Sequence, residues 1–323
     1  MKNIQKPNIP WQEKPQGYNP PIWRYDQNPI IDRNPVENVA RIFNSSVIRF
    51  EDRFVGIFRA EQLSGMPFLY FGQSKDGVSW SFEKEPIKAK NPDGTAAVFK
   101  YMYDPRLVEL DGIYFIVFCT DYHGATMGLI KTVDFKNYIR LENPFLPFNR
   151  NGVLFPRKIN ELYYMLSRPS DSGHTPFGDI FVSASSDLKF WGMHRFVLGK
   201  NDLWWQNVKV GSGCNPIETD EGWLLFYHGV TGTCNGFVYS VGGAILDLNN
   251  PSKVLYRCKN WLMTPEKDYE EKGFVSNVVF PCSALIDNTT GKIALYYGAA
   301  DSYVGLAFTT IDEIIRYIKN NAE

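Results

Sequence analysis

An internal repeat constrains this chain more than any other feature. At a period of about 60 residues, an apolar run ends in a small or β-branched residue, one further residue and then Asp. The copies read Ser74-Lys75-Asp76, Thr132-Val133-Asp134, Ser185-Ser186-Asp187, Ile245-Leu246-Asp247 and Thr310-Ile311-Asp312. In three of them an aromatic follows four residues after the Asp, at Trp80, Tyr138 and Trp191. Asp in this place accepts from its own backbone and closes a turn. Upstream of each mark a group of turn residues (51–53, 110–112, 158–161, 219–222 and 287–291) precedes an apolar, aromatic-rich run (54–58, 113–118, 162–166, 223–227 and 293–297). Each unit therefore reads as a hairpin, a third strand, an Asp turn and a fourth strand. Five such units predict an all-β, five-bladed β-propeller; the competing reading is an irregular β-sandwich.

The ends depart from the repeat. Residues 1–40 are rich in Pro and Asn and are expected to run extended over the surface. Apolar residues at 311, 314, 315 and 318 have helical spacing and predict a short C-terminal helix over 311–320. No linker or low-complexity segment divides the chain, so 1–323 is expected to be a single catalytic domain.

Charge argues about partners. The 34 Lys+Arg against 35 Asp+Glu leave no basic surplus for a nucleic acid, so any cationic cluster must be local and suited to a small anion. No apolar run approaches the length of a membrane span, and residues 1–20 lack the apolar core of a signal peptide. The five cysteines are odd in number and lack C-x-x-C spacing, which suggests reduced thiols and a cytoplasmic protein rather than disulfides or zinc. No metal and no cofactor is expected, although a calcium site at a propeller axis stays open. The glycines at 211 and 213 are not followed by Gly-Lys-Ser/Thr, so they make no P-loop, and there is no Gly-x-Ser-x-Gly elbow.

In each unit polar residues cluster just before the first hairpin strand and just after the second, which lie at the same end. In a propeller these positions face one rim and converge on the axis. This collects Asn44, Arg59, Asp104, Arg150, Asn151, Arg168, His228 and Asp301. Lys209, ahead of the fourth hairpin, joins Arg150, Arg168 and His228 as a candidate phosphate site. The bland alternative has Arg150 and Arg168 paired with carboxylates such as Asp171 or Glu142.

The segments carrying these residues resemble glycoside hydrolase family 130, the mannoside phosphorylases, over nearly the whole chain. They include Asn44-Ser45-Ser46, Phe58-Arg59-Ala60-Glu61, Met102-Tyr103-Asp104-Pro105-Arg106, 149–157, Leu166-Ser167-Arg168-Pro169-Ser170-Asp171, 173–180, Tyr227-His228-Gly229-Val230 and 296–301. The family has a five-bladed propeller. The resemblance implies Asp104 as general acid, reaching the glycosidic oxygen through the 3-hydroxyl of the mannose. It implies Arg150, Arg168, Lys209 and His228 around inorganic phosphate, the co-substrate. It implies Asn44, Ser45, Arg59, Asn151 and Asp301 around the mannose, with His174 and Asp171 near the leaving sugar. The short N-terminus and 170–180 look closer to members acting on mannosyl-N-acetylglucosamine and mannooligosaccharides than to mannosylglucose phosphorylases.

A phosphorylase needs no general base, because phosphate is itself the nucleophile; it needs cations that hold the dianion in line with the anomeric carbon. The expected reaction is inverting phosphorolysis of β-1,4-mannosides to α-mannose 1-phosphate, in a protein expected to be a homo-oligomer. Two rivals stand beside it: a hydrolase on the same fold, with Asp301 or Glu61 as base, and a sugar-binding propeller without chemistry.

Overall fold

The structure, a computed structural model, describes residues 6–170 and 178–323. The strands form five separate sheets, one for each sequence repeat. Blade I is Val39–Phe50, Arg53–Gln62, Pro67–Ser74 and Ser81–Phe82. Blade II is Tyr103–Leu110, Ile113–Asp121, Ala125–Thr132 and Tyr138–Arg140, with Ala89–Lys90 added parallel at its outer edge. Blade III is Asn149–Leu154, Tyr163–Pro169, Ile180–Ser185 and Gly192–Leu198. Blade IV is Lys209–Ser212, Gly222–Thr233, Gly236–Leu246 and Val254–Arg257, with Ile217–Thr219 also paired to its second strand. Blade V is Val279–Asp287, Lys292–Ala299 and Tyr303–Thr310, completed by the N-terminal Trp23–Arg24. The first strands of blades I to IV touch in turn, as do those of blades V and I, while the first strand of blade V meets the second and third strands of blade IV.

Alternation along the second strands builds the core. In blade IV, Trp223, Leu225 and Tyr227 pack toward blade III, while Leu224 and Phe226 pack toward blade V. Each blade interface thus holds its own apolar cluster. Burying each large apolar side chain contributes about 1.5–3 kcal/mol, so the ring of blades stands on many such contacts.

The repeat mark is a closed hydrogen-bond module. Asp76 Oδ1 accepts from the amides of Val78 and Ser79, Asp134 Oδ1 from Lys136 and Asn137, and Asp187 Oδ1 from Lys189 and Phe190. The residue after each Asp has a positive φ, and the aromatic four places on donates to its carbonyl: Trp80 to Gly77, Tyr138 to Phe135 and Trp191 to Leu188. Asp247 keeps the turn alone.

The last copy differs. Thr310 caps a helix, Ile311–Asn320, by accepting from the Glu313 amide, and Asp312 sits in the first helical turn. The helix has the predicted bounds and buries Ile314, Ile315 and Ile318 against blades IV and V. Ile311–Asn320 is thus helical where the other units have their fourth strand. Residues 23–24 fill the place instead, with Trp23 paired to Phe308. The N-terminal segment is therefore woven into blade V rather than only laid over the surface, and Ile9, Ile22, Trp23 and Ile31 are buried.

Candidate active site

A repeated irregularity aims the polar residues at the axis. The inner strand of blade I slips register between Phe43 and Ser45, that of blade II between Tyr103 and Arg106, and that of blade III between Arg150 and Val153. A β-bulge leaves an extra residue unpaired and turns its side chain. The residues at these bulges are Asn44, Asp104 and Asn151, with φ of 48°, 51° and 54°. Asn and Asp tolerate this left-handed conformation better than other side chains. Blade V has the same slip, between Pro281 and Ser283, with Cys282 at the bulge.

The bulges open on one cavity of about 310 Å³ at the axis. Of the residues expected there, Asn44, Arg59, Asp104, Arg150, Asn151, Arg168, Lys209, His228 and Asp301 line it. Ser45 does not: it is fully buried opposite Phe58, with its hydroxyl unpartnered among the described residues, because the bulge points Asn44 inward and its neighbour away. Asp171 and His174 lie outside the described residues. Tyr103, Cys119, Tyr239, Val275, Val278 and Phe280 complete the wall. Sequence periodicity gives no reason to single out these largely apolar residues.

Two electrostatic halves meet in the cavity. On the side of blades I, II and V, Asp104 Oδ1 accepts from Asn44 Nδ2 (2.8 Å) and Arg59 Nη1 (3.0 Å). Its other oxygen has no partner among the described residues. Burial alone would raise the Asp104 pKa. Arg59 and Arg106, with the bonds from Asn44 and Arg59, outweigh it and hold the carboxyl below the usual carboxylate range. Asp301 goes the other way: burial, aided by Asp104 and Glu61 and opposed by Arg59 and Arg41, pushes it up to about 6. Glu61 accepts from both Arg59 (2.7 Å) and Arg41 (2.9 Å), which ties it to holding Arg59.

Blades III and IV supply cations. Among the described residues, no carboxylate lies within ion-pair distance of Arg150, Arg168 or Lys209. Pairing with Glu142 is thereby set aside, while Asp171 falls outside the described residues. Burial, partly opposed by Tyr239, and repulsion from Arg150 pull the Arg168 pKa down. Burial, then Arg168 and Arg150, push Lys209 down to about 8. Concentrated, desolvated positive charge of this kind is costly unless an anion arrives to offset it.

His228 joins the cavity wall as a neutral ring rather than as a further cation. Burial, then Arg168, Lys209 and Arg106, hold its pKa well below the ordinary value, so the ring is neutral. Its Nε2 lies 3.0 Å from Arg168 Nη1. A guanidinium only donates, so Nε2 accepts and the ring proton sits on Nδ1. His228 therefore orients Arg168. Gly211, paired with His228, makes room: a Cβ there would lie 2.7 Å from Nε2 and 2.8 Å from Arg168 Nη1.

Arg106 lies one step deeper than Asp104 on the same strand. It is 1% exposed, donates through Nε to the Gly213 carbonyl of blade IV, and stacks 5.4 Å from the Phe280 ring centroid of blade V. It ties three blades together beneath the cavity and adds positive potential under Asp104. Among the described residues no three His, Cys, Asp or Glu side chains gather as a metal site.

A five-bladed propeller whose axial cavity sets a buried carboxylate pair against three cations with no carboxylate partner among the described residues defines a class of site suited to an anion beside a polar ligand. The chain belongs to glycoside hydrolase family 130, whose profile, described as beta-1,4-mannooligosaccharide phosphorylase, matches residues 2–320. It is 48% identical to the beta-1,4-mannooligosaccharide phosphorylase of Ruminococcus albus over 329 aligned positions, covering 100% of this chain and 98% of that one. It is 35% identical to the beta-1,2-mannobiose phosphorylase of Listeria innocua over 262, covering 81% and 71%. A solved structure of a Listeria innocua beta-1,2-mannobiose phosphorylase with beta-1,2-mannobiose superposes with a TM-score of 0.82 at 28% identity, covering 93% of this chain and 99% of that one. Among the described residues no helix is long and apolar enough to cross a membrane.

Proposed function

We propose that this protein catalyses inverting phosphorolysis of β-1,4-mannosides, taking the mannosyl unit from the non-reducing end and releasing α-mannose 1-phosphate. The observation that carries this reading is the set Arg150, Arg168 and Lys209, without a carboxylate partner among the described residues, facing a cavity whose lining carboxylates come from other blades. The activity named for the Ruminococcus relative supports the β-1,4 linkage and a mannooligosaccharide substrate. In this sense the enzyme is a mannosyl transferase to phosphate. Mannosyl-N-acetylglucosamine, as in N-glycan degradation, is the second leaving side we propose to test. Five free cysteines, four of them buried, fit a reducing cytoplasm.

In the proposed mechanism, Asn44, Arg59, Asn151 and Asp301 hold the mannose, and Arg150, Arg168 and Lys209 hold phosphate, with His228 fixing Arg168. Asp104 is the proton donor. Arg59 and Arg106 favour its ionised form, and a phosphate dianion brought into the same buried space raises its pKa toward the protonated form. Asp301, already near 6, is the specific competitor for that role. An inverting hydrolase needs a base across the sugar from its acid. Glu61 is engaged by two arginines, and blades III and IV present cations instead.

Stereochemistry tests the proposal. Proton NMR at early times should show α-mannose 1-phosphate from a β-linked donor. The β-phosphate as first product would refute single displacement.

A further inference from the structure

The residues proposed above for the mannosyl ring and phosphate leave Tyr103, on the cavity wall, to meet the sugar across the cleaved bond, so a chain longer than a disaccharide must continue past the mouth. Tyr103 and Cys119 are register partners in blade II, and both line the cavity. Two residues outward along each chain, side chains return to the same face. Those residues are Tyr101 and Asp121. Tyr101 precedes the strand but is held beside it, its carbonyl accepting from Thr120 Oγ1 (2.9 Å), and its ring centroid lies 5.7 Å from that of Tyr103. That step is close to the length of one sugar unit in an extended β-1,4 chain. In blade III the residue two places outward from Arg150 is Phe148, 43% exposed. Its ring abuts Gly124 of the blade II turn, where a Cβ would lie 2.8 Å from Phe148 Cε1.

The side-chain polar atoms on this strip are only weakly engaged. The Tyr101 hydroxyl has no hydrogen-bond partner among the described residues, and the charged contact of Asp121 is a long one, 3.9 Å to Lys100. At the same level blade I carries the closed Arg41–Glu61 pair, and blade V carries Val278 and Ala300. Aromatic faces beside a carboxylate held only by this long contact suit the apolar face and hydroxyl edge of a pyranose ring.

We propose that Tyr101, Asp121 and Phe148 form a distal sugar subsite over blades II and III, which receives the ring one removed from the sugar at the cleaved bond. This rests on the β-1,4-mannooligosaccharide reading above and adds that the enzyme distinguishes chain length. Mannobiose does not reach the strip; mannotriose and longer chains do.

The test compares Tyr101→Ala, Asp121→Asn and Phe148→Ala with the parent protein on mannobiose and mannotriose. kcat/KM for phosphorolysis should fall roughly tenfold on mannotriose, the weight of one or two lost contacts, and stay within about twofold on mannobiose. Calorimetric binding of both sugars without phosphate should show the same selective loss. An unchanged mannotriose-to-mannobiose ratio in all three variants, in rates and in binding, overturns the subsite. A parallel loss on both substrates also overturns it, because it assigns these side chains to the fold or the main cavity. Selective loss of mannotriose binding in a protein that never phosphorolyses either sugar would leave the subsite standing and sink the proposed reaction instead.

Discussion

Lys209 carries a charge that its surroundings resist. Burial, with Arg168 and Arg150 nearby, brings its pKa to about 8. Below that value the ammonium is present and can meet phosphate; above it the free protein must take up a proton to bind the dianion. The Michaelis constant, expressed per phosphate dianion, should therefore be flat below about pH 8 and climb above it. Lys209→Arg should flatten the climb, since a guanidinium does not deprotonate in this range. A phosphate constant that stays level to pH 9.5 in the parent protein would contradict the assignment. Asp104 invites a separate experiment. Asp104→Asn should keep its fold and bind mannoside while losing about 10²- to 10⁴-fold in kcat, the usual weight of a positioned acid. If Asp301→Asn produces that loss and Asp104→Asn does not, the proton donor is Asp301.

At the scale of the element, the inner-strand bulge is the device that makes the site. Three bulges turn an Asn or Asp into the cavity from three blades, and each such side chain has a left-handed backbone. Sequence reasoning found these residues but placed them ahead of the hairpin strand, whereas they lie within it. A bulge adds one residue without changing the apolar alternation beyond it, so periodicity does not reveal it. This also explains Ser45: its neighbour Asn44 takes the inward position, and an unbulged strand gives no means of choosing between them. Arg106 was visible in the sequence only as part of a polar cluster, because its role depends on reaching Gly213, 107 residues away in the chain. The Asp turns were legible for the opposite reason, being closed by bonds two and three residues long. Blade IV supplies a test at this scale. Gly211→Ala would press on His228 Nε2 and Arg168 Nη1. It should raise the Michaelis constant for phosphate at least tenfold while calorimetry shows mannoside binding little altered. Equal weakening of both ligands would mean that the Gly211 contact shapes the whole cavity.

Across the whole molecule, the blade count followed from the repeat, whereas ring closure did not. Trp23–Arg24 pairs with Tyr303–Thr310 across nearly the full length of the chain, and a two-residue strand leaves no periodic trace. The helix that displaces the expected fourth strand was legible, because its apolar spacing and the Thr310 cap are local. The closed ring gathers cations from blades III and IV and carboxylates from II and V into one buried space. The central claim is that this division selects phosphate over water as the nucleophile. The most direct measurement incubates the purified protein with β-1,4-mannobiose in buffers with and without inorganic phosphate and follows mannose 1-phosphate and free mannose from both sugars. The account predicts mannose 1-phosphate and one equivalent of free mannose from the leaving unit with phosphate present, and no turnover without it. Equal turnover without phosphate, giving two equivalents of free mannose, would contradict it.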